Sequence, residues 1–348
     1  MQKLFLLDAY ALIYRAYYAL IRSPRMNSKG ENTSAVYGFV NTLEEVLQKQ
    51  APTHIAVAFD PSGPTFRHDV YPEYKAQREE TPEDIRRAVP VIKDIIRAYN
   101  IPILEVPGFE ADDVIGTVAC RAAEAGLEVR MITPDKDYAQ LVGEHVKMCR
   151  PGHGSAPMEV LGVEEVCEKY SLTSPLQVID LLGLMGDSAD NIPGCPGVGE
   201  KTAQKLIAQF GSIENLLNNT DQLKGALKKK VEENVEQIRF SRFLATIKTD
   251  VPLNVEMESL KRIEPDKQAL RNIFEQLEFR AFIKRLFPEE VKTEKRQPMM
   301  ASLFDEMPAE APAEKEKTKL RTIADSPHFY HLIENKEDAK KLCEKLLA

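Results

Sequence analysis

Long apolar runs are missing from this 348-residue chain. Nothing approaches the ~18 consecutive apolar residues of a membrane-spanning helix, so none is expected. Paired cysteines are missing too. Cys120, Cys149, Cys167, Cys195 and Cys343 are odd in number and show no CxxC spacing. That argues against disulfides and a thiolate zinc site, and for ordinary thiols in a reducing cytoplasm. The start, MQKLFLLDAYALIY, does not read as a secretory signal, because Asp8 interrupts the apolar stretch and no small-residue cleavage site follows. His54, His68, His145, His153, His328 and His331 are scattered and fit no metal-ligand spacing. An excess of positive charge is also absent: 46 Lys and Arg stand against 54 Asp and Glu, a net charge of −8. Taken alone, that balance argues against a phosphate-rich partner. Acids gathered at one site would nevertheless leave basic surface elsewhere. Where the acids sit is therefore the informative question.

What is present, over the first 150 or so residues, is a recurrence of short apolar runs that end near Asp. Lys3–Leu7 ends at Asp8, Ile55–Phe59 at Asp60, and Val129–Thr133 leads through Pro134 to Asp135. Such runs suit buried strands of a parallel sheet. Helical patterns over Val36–Gln48, Pro82–Tyr99 and Glu110–Ala125 lie between them. The alternation predicts a doubly wound α/β domain with a mostly parallel sheet, whose ligands bind at the carboxyl ends of the strands. A first domain is expected over residues 1–172. A helical region follows over 173–288, and a Glu-, Lys-, Pro- and Ala-rich linker over 289–320. Residues 321–348 read as a strand and a helix that open a further domain.

Nine carboxylates fall in this frame: Asp8 and Asp60 at two strand ends, Glu110, Asp112 and Asp113 in GFEADD, Asp135 and Asp137 in TPDKDY, and Asp187 and Asp190 in GLMGDSADN. On a helix, residues three apart share a face, so Glu110 with Asp113 and Asp187 with Asp190 could point together. So many converging acids would repel one another and raise each other's pKa values unless cations separate them. Hard oxygen ligands suit Mg²⁺ or Mn²⁺. Two such ions ~4 Å apart can activate a water and stabilise the leaving oxygen of a phosphodiester. Any single Asp is as easily a helix cap or turn residue. The joint pattern on one sheet edge favours the metal site.

LLDAYALIYRAYYA, AVAFDPSGPTFRHDVYPEYKAQR, GFEADDVIGTVA, ITPDKDYAQLV and GLMGDSADNIPGCPGVGEKTA together resemble the successive motifs of the 5′-nuclease domain of bacterial DNA polymerase I, a member of the flap endonucleases. The likeness runs from Met1 to about Pro288. It implies a PIN-like fold with a helical arch over about 74–99 and a helix-hairpin-helix (helix-3-turn-helix) region. It implies that Asp8, Asp60, Glu110, Asp112 and Asp113 organise one Mg²⁺, and that Asp135, Asp137, Asp187 and Asp190 organise a second, with Mn²⁺ able to substitute. It also implies a 5′→3′ exonuclease or flap endonuclease that hydrolyses DNA, as part of a polymerase acting in replication and repair. A monomer in the bacterial cytoplasm, associated with the nucleoid, is the matching expectation. A related ribonuclease and a non-catalytic branched-DNA scaffold are the rival readings.

Arg67, Lys75 and Arg78, with Tyr74 among them, follow Asp60 closely. A basic cluster there can attract a phosphate, and Tyr74 could stack on an unpaired base. A solvated helix face with a core tyrosine is the plainer alternative. The resemblance assigns Lys75 and Arg78 as catalytic cations at the base of an arch that Pro82 and Pro90 would break or kink. Further on, IPGCPGVGEKTAQK sets turns at Pro193-Gly194 and Pro196-Gly197 before a helix near Glu200, whose N–H groups suit a phosphate. Lys201, Lys205 and Lys228–Lys230 add charge. The resemblance implies duplex contacts from Gly194, Gly197, Val198, Gly199, Lys201, Thr202 and Lys205, with a K⁺ bridging hairpin carbonyls and a phosphate. Removing nine site acids from the charge leaves −8 + 9 = +1. In the linker, Met300-Ala301-Ser302-Leu303-Phe304 resembles a sliding-clamp-binding peptide, with Met where that motif usually has Gln.

Overall fold

A computed structural model describes residues 2–152, 156–288 and 340. The expected linker, the strand–helix after it and the clamp-like peptide Met300–Phe304 lie outside the described residues, as do His153, His328, His331 and Cys343. The compact unit that holds the described chain runs from Met1 to Glu294. Its first part contains β1 (Lys3–Asp8), α1 (Ala9–Ala19), α2 (Ser34–Glu45), β2 (His54–Ala58), α3 (Phe66–Val70), α4 (Glu83–Ala98), β3 (Ile103–Leu104), α5 (Ala111–Glu124), β4 (Glu128–Ile132), β5 (Val146–Arg150), β6 (Glu159–Leu161) and α6 (Val163–Tyr170). There follow α7 (Gln177–Met185), α8 (Glu200–Phe210), α9 (Ile213–Asn218), α10 (Gly225–Glu233), α11 (Val235–Ala245), α12 (Lys267–Gln276) and α13 (Arg280–Leu286).

The strands form one sheet in the order β3-β2-β1-β4-β5-β6, parallel except for β6. Strands buried on both faces need apolar residues at successive positions. In β1, Leu4 and Leu6 enter a core with α5 and α7, whereas Phe5 and Leu7 enter a second core with α1, α2 and α4. The direction of winding reverses between β1 and β4, the switch point at which such sheets bind ligands. No described helix is long and apolar enough to cross a membrane.

One expectation needs correction. Pro90 does not break the helix: within the span 74–99, residues 83–98 form the continuous helix α4, which passes through Pro90 and buries Ile85, Ala88, Ile92, Ile95 and Ile96 in the second core. Pro90 costs α4 one backbone bond, which this burial outweighs. The helices of the region 173–288 divide between the two cores. α7 to α11 pack on the first core, while α12 and α13 cross to the second, where Phe274, Phe279 and Phe282 gather with Tyr37.

Candidate active site

Register brings the first acids together. Leu7 of β1 stands opposite Ile132 of β4, so the next residues along, Asp8 and Thr133, become neighbours. The Thr133 hydroxyl donates to Asp8 Oδ2 at 3.0 Å. Asp8 also caps α1, accepting the Ala11 N–H at 3.1 Å. Asp60 Oδ1 accepts the Ala111 N–H at the start of α5 at 2.7 Å. Asp135 Oδ1 accepts the Asp137 N–H at 3.0 Å, opening the 3-10 turn Lys136–Leu141. The capping explanation of these acids is therefore true. For Asp60 and Asp135 it occupies one carboxylate oxygen only.

Asp8, Asp60, Glu110, Asp112, Asp135, Asp137, Asp190, Lys75 and Arg78 all line one open cleft of about 780 Å³. Asp187 stands just behind it, its carboxylate paired closely with Lys136. Asp187 and Asp190 do not share a helix face. Gly186, at φ +70°, ends α7, and the two acids sit in a tight turn closed by reciprocal Asp187–Ile192 backbone bonds of 2.9 and 2.7 Å. The basic segment is buckled onto this turn. The Lys75 N–H donates to the Asp190 carbonyl at 3.0 Å, and Asn191 Nδ2 donates to the Glu73 carbonyl at 2.8 Å. Lys75 is held there at φ +58°, a strained conformation for a residue with a side chain.

The acids divide by partner. Glu110 meets Lys75 Nζ at 2.5 Å and Arg67 Nη1 at 3.1 Å. Burial pushes its carboxyl up, but the two cations outweigh it and the net shift is down. Asp190 lies against Arg78 and 3.9 Å from Lys75 Nζ. Asp8, in contrast, is pushed up to about 7, by burial and then by the charges of Asp60 and Asp135. Asp137 also rises to about 7, through burial and then Asp135. Asp60 is raised chiefly by burial, and Asp112 is raised well above the usual range by burial and then Asp113.

The donor set fits a hard divalent cation. Glu110, Asp112 and Asp113 can each offer an oxygen, with all three oxygens within 4.8 Å of one another. Asp137 Oδ1 is buried without a hydrogen-bond partner, its nearest cation being Lys136 Nζ at 3.5 Å. Asp113 is turned to Arg67: it is 0% exposed and both oxygens accept from the guanidinium, at 2.7 and 2.9 Å.

Arg67 itself corrects the sequence reading. It is 1% exposed, and besides Asp113 and Glu110 it donates to the Leu244 and Thr246 carbonyls at 3.0 and 2.9 Å. A guanidinium so engaged has nothing left for DNA. Tyr74, expected to stack on a base, is 4% exposed and donates to Glu110 and Asp190 at 3.0 and 3.2 Å. At the hairpin, Gly197, Gly199, Lys201 and Lys205 are exposed and Thr202 is partly so. Gly194 and Val198 are buried. The Gly194 N–H donates to Ser241 Oγ and its carbonyl accepts from Gln237, at 2.9 and 2.8 Å, so Gly194 fastens the hairpin to α11 instead of facing a ligand. Residues that sequence reasoning missed are Tyr10, Tyr14 and Tyr18, which line the cleft along one face of α1. Their i, i+4, i+8 spacing, which puts them on one face of a helix, was visible in the sequence.

The N-terminal resolvase-like domain of 5′-3′ exonucleases matches residues 3–171, and the C-terminal SAM fold of 5′-3′ exonucleases matches residues 173–268. The DNA polymerase I of Bacillus caldotenax is 39% identical over 330 residues, which cover 94% of this chain and 37% of that protein. The DNA polymerase I of Bacillus subtilis (strain 168) is 43% identical over 298 residues, covering 85% and 33%. The chain thus spans roughly a third of the length of these curated relatives. Among solved structures, T5 5′-exonuclease with zinc bound superposes with a TM-score of 0.59 at 22% identity, covering 79% of this chain and 99% of that one. The catalytic core of Rad2 in complex with DNA substrate gives 0.52 at 19% identity, covering 79% and 87%. These two likenesses bear on fold, which they share in its resolvase-like sheet and helical extension. With a sheet whose switch point gathers acids and cations, and with both family domains matched in order, this chain belongs to the 5′-3′ exonuclease family.

Proposed function

We propose that the cleft hydrolyses DNA phosphodiester bonds near a 5′ end, including those at 5′ flaps, and that the chain is the nuclease part of a longer DNA polymerase I. The observation that carries this reading is the pairing of cation-poor acids (Asp8, Asp60, Asp112, Asp135) with Lys75 and Arg78 at one cleft. Divalent cations, with Mg²⁺ the best fit and two the expected number, would activate a water there and neutralise the leaving oxygen. Asp8, Asp60, Glu110, Asp112, Asp135 and Asp137 would hold them. Lys75 and Arg78 then attract the scissile phosphate and stabilise charge that develops on it. Tyr14 and Tyr18, whose rings stack at 6.3 Å, offer a surface on which an unpaired base can lie.

Duplex binds through Gly197, Gly199, Thr202 and the exposed Lys201 and Lys205 at the start of α8, by phosphate contacts that carry no sequence information. A K⁺ at this turn belongs to the same reading. Lys230 joins it, because its ammonium reaches from α10 to the place a Gly197 Cβ would occupy. Clamp binding by Met300–Phe304 and a monomeric chain remain part of the proposal. The test is end-labelled 5′-flap DNA incubated with wild type and Asp112→Asn, with Mg²⁺ or with EDTA. Short 5′ products from wild type in Mg²⁺ alone are expected. Binding without any product would favour a scaffold, and selective cutting of RNA would favour a ribonuclease.

A further inference from the structure

Three buried side-chain polar atoms among the described residues have no hydrogen-bond partner: Asp137 Oδ1, the Tyr138 hydroxyl and Arg150 Nε. The first two sit on consecutive residues, and both residues line the acidic cleft. One atom is an acceptor and the other a donor. Buried polar atoms are rarely left unpaired, and an orphan in a native interior calls for a bound water, an ion or a functional role. Phenylalanine would fill the apolar volume under Tyr138 equally well, since its ring belongs to the core beneath the cleft and is 1% exposed. The hydroxyl is what packing does not explain. A phenol, with an ordinary pKa of about 10, is a donor at neutral pH.

We infer that Tyr138 is a positioning residue for the cation site: its hydroxyl donates to an oxygen, of carboxylate or water, that becomes ordered when a divalent cation fills the cleft. A ligand oxygen turns one lone pair to the cation and needs a donor for another, which fixes its direction. Tyr138 supplies that donor from below the carboxylates, and Asp137 Oδ1 stands beside it as a free acceptor. The inference rests on the reading of the cleft as a divalent-cation site.

The chain has 11 tyrosines and no tryptophan, so its near-ultraviolet absorbance is dominated by phenols. Mg²⁺ is titrated into wild type and Tyr138→Phe, followed by calorimetry and by absorbance difference. Wild type is expected to show a phenol difference band that Tyr138→Phe lacks in part or whole, while Tyr10, Tyr14, Tyr18 and Tyr74 contribute alike to both. Mg²⁺ affinity is expected to fall about tenfold in Tyr138→Phe. The thermal midpoint in EDTA should stay level or rise, because only an unpaired oxygen is removed; a clear drop would mark a purely structural role and overturn the inference. Equal affinities and identical bands would also overturn it while leaving the cation site standing. Failure of wild type to bind Mg²⁺ would defeat both readings.

Discussion

The two walls of the cleft handle acidity in opposite ways. On the wall where α3, the buckled segment 73–78 and the turn at Asp187–Asp190 meet the start of α5, four acids have a resident cation: Arg67 for Asp113 and Glu110, Lys75 for Glu110, Arg78 for Asp190, Lys136 for Asp187. On the wall built by the ends of β1, β2 and β4, Asp8, Asp60 and Asp135 accept mainly from backbone N–H groups or a hydroxyl. Burial and then neighbouring carboxylates push Asp8, and Asp137 beside it, up to about 7. One wall is already neutralised and can set geometry. The other is neutralised only by what it binds.

The contrast breaks first under removal of an acid from the cation-poor wall. Asp8→Asn should lower cleavage by about 10³-fold or more, the loss expected when several kcal/mol of metal assistance disappear. Its thermal midpoint in EDTA at pH 8 should rise by a few degrees, since one repelling charge is gone. Next comes the neutralised wall. Arg67→Met strips the partner from two buried acids and should cost about 3–5 kcal/mol in denaturant unfolding. Opposite signs of stability change for these two variants would establish the comparison; equal signs would refute it.

Smaller effects refine it. Lys75→Ala should lower kcat by about 10²-fold with little change in KM for flap DNA, as expected for a group that stabilises developing charge. Asp8 and Asp137 bind their protons more tightly folded than unfolded, so their contribution is fully present below the model-compound value of 3.8 and is lost as pH rises through about 7. The cation-free protein should therefore melt lower at pH 8 than at pH 5.5, and Mg²⁺ should restore more at pH 8. Scanning calorimetry in EDTA and in Mg²⁺ at both pH values decides this. Smallest of all, Lys201→Ala should weaken duplex binding a few-fold and reduce its salt slope by about 1, read by titration at several salt concentrations.

Much of this was legible in the residues. The apolar runs before Asp8, Asp60 and Asp135 mark strands β1, β2 and β4, because burial on both faces leaves no period-2 pattern to confuse with anything else. A site at the carboxyl ends of the strands followed from the acids there, whereas the switch point between β1 and β4 needed the strand order. What the residues hid was pairing across distance. PTFRH and GFEADD are over 40 residues apart, so no local pattern discloses that Arg67 closes on Asp113 and not on a ligand. β6 is antiparallel and three residues long, too short to carry periodicity. The resemblance placed an arch over about 74–99 that Pro82 and Pro90 would break or kink, whereas Ile85, Ile92, Ile95 and Ile96 spell a buried stripe that keeps α4 continuous.

The hydrogen bonds of Arg67 to the Leu244 and Thr246 carbonyls, with that of the Lys248 N–H to Asp113 at 2.8 Å and that of the Ile247 N–H to Gln140 at 2.9 Å, join parts of the chain that the two family matches treat as separate. A truncation at residue 172, or a protease nick there followed by separation of the pieces, would open a polar seam running under the carboxylates. Swapping the helical half between relatives would have to carry residues 244–248 and their partners Arg67, Asp113 and Gln140 as one cassette. The dividing line drawn along the sequence is convenient for description, yet it is not a place where this molecule can be taken apart.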